Sequence, residues 1–282
     1  MKQEKLMMAV VIAMAMAACE KENVSTVVIN EPAEMQEKTI TFSVGNGGGT
    51  RATLTELSLT DLWLFDYVGG ELQQTVHVGS TDGGFGSLSL SMEYGDHNLY
   101  FVASRGTTPT VSAPTIAWEK PSDTFWKALE LTVAPATSAN QAVELKRVAT
   151  RLRIAVTDEV PTGASQLKVA MSNWYSAMDV RTGAGVNVAS VEKSVTIPSS
   201  YIGTSDKLVA SFFGLSASEE WTTDVTVTMT GENDAVMGSV ALSDVSFAQN
   251  RTTVYSGGIL GGVGTMTVTA DDAWGAENVQ TW

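Results

Sequence analysis

Cysteine is nearly absent from this chain: Cys19 is the only one in 282 residues, and the only histidines are His77 and His97. An intramolecular disulfide is therefore excluded, as are a four-cysteine or paired cysteine-histidine zinc site and a multi-histidine metal centre. Positive charge is scarce too. Seventeen Lys and Arg stand against 31 Asp and Glu, a formal net charge of −14, so a nucleic acid would meet a repulsive field and is not an expected partner. Long apolar runs are also missing. The longest, Leu6–Ala18, has 13 residues, fewer than the ~20 that a membrane-spanning helix requires.

The motifs of several enzyme classes are lacking as well. There is no Gly-x-Ser-x-Gly elbow, and neither glycine-rich run, 45–49 or 257–264, forms a phosphate-binding loop. His77 lies in the alternating stretch Gln74-Thr75-Val76-His77-Val78, which makes it an outward strand residue or a cross-strand partner, and His97 reads as a turn residue at the head of a strand. The acidic loops do not match the calcium pattern Asp-x-Asp-x-Asp-Gly. The expectation is a protein that is not an enzyme and that takes no cofactor and no metal.

What is present begins with an address. Lys2 and Lys5 precede the apolar run Leu6–Ala18, the charged and hydrophobic regions of a secretory signal peptide. Its end, Met16-Ala17-Ala18-Cys19, resembles a bacterial lipobox, which implies cleavage before Cys19 and acylation of that cysteine. Several acyl chains, each contributing ~0.8 kcal/mol per buried methylene, give durable attachment to a lipid surface, here the outer membrane. Glu20-Lys21-Glu22 resembles the acidic patch that some Bacteroidetes lipoproteins use for display outside the cell. Residues 19–37 are polar, contain Pro32 and read as a tether.

Beyond the tether the pattern has period two. Ile40, Phe42 and Val44 alternate with Thr39, Thr41 and Ser43; Leu88, Leu90 and Met92 alternate with serines; Leu152, Ile154 and Val156 oppose Arg151, Arg153 and Thr157. Leu62–Phe65 and Leu99–Val102 are apolar on both faces, as in central strands covered on each side. Glycine-containing turns separate the strands, among them Gly69-Gly70, Asp82-Gly83-Gly84, Thr182-Gly183 and Gly231-Glu232-Asn233. The expected fold is all-β, built as antiparallel sandwiches. One short helix is expected from Ser122, with Ser122-Asp123 as cap and Phe125, Trp126 and Leu129 on one face. The 44% of hydrophobic residues suffices for one large or two medium cores, and the basic stretch 143–156 marks a boundary between domains at 38–148 and 149–282.

Arg51-Ala52-Thr53 followed by Leu57–Tyr67, then Tyr94–Ser104 and Arg147–Leu152, resembles the fimbrillin-like and fimbrillin-anchoring (FimB/Mfa-like) lipoproteins of Bacteroidales, whose type V fimbriae are built from such subunits. The resemblance implies two transthyretin-like Greek-key sandwiches, surface location in a fimbrium, and assembly with other fimbrial subunits by strand complementation. It further implies an exchangeable first strand, here Thr39, Ile40, Phe42 and Val44, with Arg51 as the processing site behind it. An anchoring subunit keeps its first strand and its lipid, whereas a polymerising subunit loses both. The C-terminal candidates for interaction are Met266, Val268 and Trp282, and host or bacterial surface ligands are further expected partners. A second reading is a glycan-binding surface lipoprotein that uses some of the seven tryptophans as sugar platforms.

Overall fold

A computed structural model of the chain describes residues 36–46, 53–216, 220–261 and 266–271, the last six as backbone. The alternating segments pair as nineteen strands, and the only helical turns among the described residues are two short 3-10 turns. The first sandwich contains β1 (Glu37–Asn46), β2 (Asp61–Val68), β3 (Glu71–Gly79), β4 (Ser87–Glu93), β5 (Gly95–Ser104), β6 (Thr110–Ser112), β7 (Thr115–Ala117), β8 (Thr124–Val133) and β9 (Asn140–Arg147). One sheet runs β3-β2-β5-β8 and the other β9-β1-β4; they meet where Phe125 and Trp126 pair with Arg147 and Lys146. Ile40, Phe42, Leu88, Leu90 and Val143 face Leu62, Leu64, Leu99, Phe101 and Phe125 across the core. The rings of Phe42 and Phe101 meet there at 5.4 Å.

The second sandwich repeats the plan. It contains β10 (Ala149–Val156), β11 (Gln166–Trp174), β12 (Ala177–Asp179), β13 (Ala184–Val186), β14 (Ala189–Thr196), β15 (Leu208–Leu215), β16 (Glu220–Thr230), β17 (Val236–Ala248), β18 (Thr252–Gly257) and β19 (Met266–Asp271). Its sheets run β14-β11-β16-β17 and β15-β10-β18-β19. Each sandwich has its first strand beside its last in parallel: β1 with β9, β10 with β18. Among the described residues, β19, on the outer edge of β18, has no counterpart in the first sandwich. Leu152, Ile154, Leu167, Val169, Val225 and Val227 fill the core, and Trp174, Trp221 and Phe247 close one end with ring centroids 5.0–5.5 Å apart.

The two sandwiches are stitched by a small sheet to which both contribute, β13-β12-β7-β6. Val180 N–H donates to the Pro114 carbonyl and Trp118 N–H to that of Ser176, both at 2.8–2.9 Å. A third apolar cluster, including Phe65, Tyr67, Val102, Trp118, Val148 and Leu215, is buried at this joint. That explains the runs apolar on both faces: Leu62 and Leu64 of β2 enter the core while Phe65 and Tyr67 enter the joint.

Two local expectations fail. No helix forms at Ser122; the segment enters β8, because the alternation of Leu129, Leu131 and Val133 continues back to the buried Phe125 while Trp126 faces the joint. His97 is not a turn residue but a buried member of β5.

Candidate functional site

The segment singled out for exchange, Thr39 to Val44, is β1, and it is central in its sheet. It pairs antiparallel with β4 from Glu37↔Glu93 to Ser43↔Ser87, and parallel with β9 from Thr41↔Asn140 to Asn46↔Leu145. Ile40 and Phe42 are fully buried, Val44 is nearly so, and Thr39 faces solvent. Around this apolar stripe the outward side chains form a polar fringe. Ser91 Oγ donates to Glu37 at 2.7 Å, Thr41 and Ser89 share a hydroxyl bond of 2.9 Å, and Lys38 Nζ donates to the Pro135 carbonyl at 2.7 Å.

Cys19, Arg51 and Trp282 lie outside the described residues. The chain on the far side of Arg51 has holding contacts of its own. Thr53 N–H donates to the Glu56 carboxylate at 2.6 Å and Glu56 N–H to Thr53 Oγ1 at 3.2 Å, a reciprocal capping arrangement. Leu54 and Leu59, just beyond, are buried in the first core. Met266 and Val268 belong to β19, where they pair with Gly257 and Tyr255.

The histidines tie strands together. His97 Nδ1 is 2.7 Å from Asp66 Oδ1 and its Nε2 is 2.9 Å from the Glu93 carbonyl, while Gln74 donates to Asp66 Oδ2 at 3.0 Å. This buried cluster spans β2, β3, β4 and β5, a role the sequence did not announce because its members are far apart in the chain. His77, on β3, stacks on Trp63 with ring centroids 4.0 Å apart and reaches Asp61 at 2.9 Å. It is the cross-strand partner that alternation predicts. Among the described residues there is no group of three or more His, Cys, Asp or Glu side chains placed to hold a metal ion.

At the joint, Arg181 donates to both oxygens of Asp179 at 3.1 and 2.7 Å and holds its carboxyl below the usual carboxylate range. Burial pushes the nearby Tyr67 phenol up, with Arg181 partly offsetting the rise. The basic stretch flanking residue 148 also links the sandwiches: Arg147 pairs with Asp123 at 2.6 Å, lies over Phe125 at 4.7 Å and donates to Asn250 Oδ1 of the second sandwich at 3.1 Å. Trp63, Trp118, Trp126, Trp174 and Trp221 are all buried or half-buried, so none of these five offers the flat exposed platform of the glycan-binding reading.

No family model and no curated protein matches the sequence. Solved structures do match the fold. A presumed polysaccharide-binding protein of Bacteroides thetaiotaomicron aligns over 83% of this chain and 97% of its own, with a TM-score of 0.56 and 6% identity. A presumed cell adhesion protein of Bacteroides eggerthii aligns over 83% of this chain and 95% of its own, with a TM-score of 0.54 and 12% identity. A presumed adhesin of Bacteroides ovatus covers 82% and 96%, with a TM-score of 0.53 and 12% identity. At these identities what is shared is the fold, a pair of sandwiches that Bacteroides adhesin-like proteins also carry.

Proposed function

We propose that the chain is a non-enzymatic fimbrial or adhesin-like lipoprotein of the cell surface, held to the outer membrane through acylated Cys19 and joined to other subunits by strand complementation. The observation that carries this reading is the position of β1. It is a ten-residue strand with an apolar inner stripe, flanked on both sides by β4 and β9, and the chain beyond Arg51 has its own anchorage in Thr53, Glu56, Leu54 and Leu59. Loss of β1 alone would expose two strand edges and a row of apolar pockets, the chemistry that an inserted strand satisfies. The fold shared with presumed adhesins of Bacteroides supports the same reading. In it, 38–148 and 149–282 are the two domains, and an anchoring or accessory subunit is one that keeps Arg51 uncut.

The test is the N-terminus and mass of the mature protein taken from its native membrane. A lipidated Cys19 on an uncut chain supports the anchoring role, and a start at Ala52 supports a polymerising one. An unmodified start elsewhere removes the lipoprotein reading.

A further inference from the structure

β4 has a single strand neighbour among the described residues, and that neighbour is β1. Departure of β1 would leave β4 without any backbone ladder, whereas β9, on the far side of the gap, keeps its pairs with Phe125 and Trp126 of β8. A groove that accepts a new strand needs both walls. Something other than β1 therefore has to hold β4.

Val44 N–H donates to the Gly86 carbonyl and Tyr94 N–H to that of Gln36, so the even-numbered residues Leu88, Leu90 and Met92 exchange hydrogen bonds with β1. The odd-numbered residues of β4 turn their backbone groups to the outer edge. There the opposite sheet takes hold of them. Gln74 of β3 donates to the Ser91 carbonyl at 3.2 Å and to Asp66 Oδ2 at 3.0 Å. His97 of β5 reaches the Glu93 carbonyl through Nε2 at 2.9 Å, while its Nδ1 is set against Asp66 Oδ1 at 2.7 Å. Asp66 of β2 is 1% exposed and orients both side chains at once.

This brace supplies what packing alone does not. Leu88, Leu90 and Met92 are buried in the core, but apolar burial has no direction and lets a strand slide along its axis. Hydrogen bonds to two successive outward carbonyls fix its height. They also occupy the outer edge: the Ser91 and Glu93 carbonyls are taken by side chains and the Ser87 N–H by the Gly84 carbonyl, so a strand approaching from that side has to displace all three.

We propose that Asp66, His97 and Gln74 form a brace that holds β4 in register independently of β1. β1, not β4, is then the strand that detaches, and it leaves a wall against which a strand of a second subunit, apolar at alternate positions, can pair. Only this last step rests on the strand-complementation reading.

Residue-resolved amide hydrogen exchange on the full chain tests the brace. The amides of Leu88, Leu90 and Met92 face β1, while Thr41 N–H donates to the Ala139 carbonyl and Ser43 follows it toward β9. A departing β1 uncovers both sets together, whereas a departing β4 uncovers only the first. In the wild type the two sets should show equal protection factors. Lower protection at Leu90 and Met92 than at Thr41 and Ser43 overturns the proposal. In the full chain carrying Gln74→Leu and His97→Leu, protection at Leu90 and Met92 should fall at least about tenfold below that at Thr41 and Ser43. Equal protection of the two sets in that variant also overturns it. Should the double variant lose protection throughout the first sandwich, Gln74→Leu alone decides: a fall confined to Leu90 and Met92 supports the brace, and an equal fall or none rejects it. No second chain takes part, so a negative result falls on the brace and leaves strand complementation to the N-terminus of the mature protein.

Discussion

Gly183 lies flat against the ring of Trp126: a Cβ built on the glycine would stand 2.6 Å from Trp126 Cδ2, and the indole N–H donates to the neighbouring Val180 carbonyl at 2.6 Å. The contact joins the β12–β13 turn to β8, so one residue without a side chain lets the sandwiches close on each other. Gly183→Ala should destabilise the protein by roughly 1–3 kcal/mol, read from the urea midpoint, because φ is +71° and the methyl group meets the ring. Gly203→Ala is the control. Its φ is +73° with nothing within 4 Å of the added carbon, so it registers the backbone cost alone and should lose less. Equal losses would remove the ring contact as the cause.

The two histidines should differ sharply. His97→Leu leaves the buried Asp66 carboxylate with Gln74 as its remaining partner, and breaking a buried pair of this kind costs about 3–5 kcal/mol. His77 is 34% exposed in its side chain, and Asp61 keeps the Thr60 hydroxyl at 2.7 Å, so His77→Leu should cost no more than about 1 kcal/mol. Chemical denaturation of the two variants at neutral pH makes the comparison.

Acid should erase the contribution of Asp179. Arg181 hydrogen-bonds its ionised form, so the carboxyl titrates lower in the folded protein than in the unfolded chain. The resulting stability is fully present above the unfolded carboxylate value of about 3.9 and is lost as pH falls through the lower folded value. The wild type should therefore exceed Asp179→Asn in melting temperature near pH ~6, with the gap closing below pH ~4. A gap that is constant across that range would show that the ion pair is not its source.

Phe42→Ala should cost about 3–5 kcal/mol, since the ring is fully buried against Phe101 in a core that relaxes only partly around the cavity. Thr39→Ala, on the solvent face of the same strand, should stay within about 0.5 kcal/mol. Similar losses at both positions would mean that β1 contributes little packing.

Much of this architecture is legible in the alternation of residues, because a half-buried strand imposes period two on its own sequence. Ile40, Phe42 and Val44 announce β1, and Gly69-Gly70 announces the turn between β2 and β3, where both residues have positive φ. The joint is not legible in that way. β7 and β12 are three residues each, too short for a period, and they pair across 60 residues, Ala117 with Ala177. Phe125 and Trp126 misled for a related reason. Consecutive aromatics that serve two different interfaces resemble one face of a helix when neither interface is yet known. His97 was obscured by the turn-like residues Gly95, Asp96 and Asn98 around it, whereas its burial is set by Asp66, 31 positions away. The site residues that sequence alone proposes near the termini, Cys19, Arg51 and Trp282, lie outside the described residues and rest on the experiments above.

The parallel pairing of β1 with β9 governs how the first sandwich bears mechanical load. Tension that enters at Glu37 and leaves past Arg147 pulls adjacent strands in opposite directions along their common axis, so the pairs from Thr41↔Asn140 to Asn46↔Leu145 are sheared together and none can be unzipped ahead of the others. A hairpin stretched from its open end yields one bond at a time; this clasp must slip as a whole.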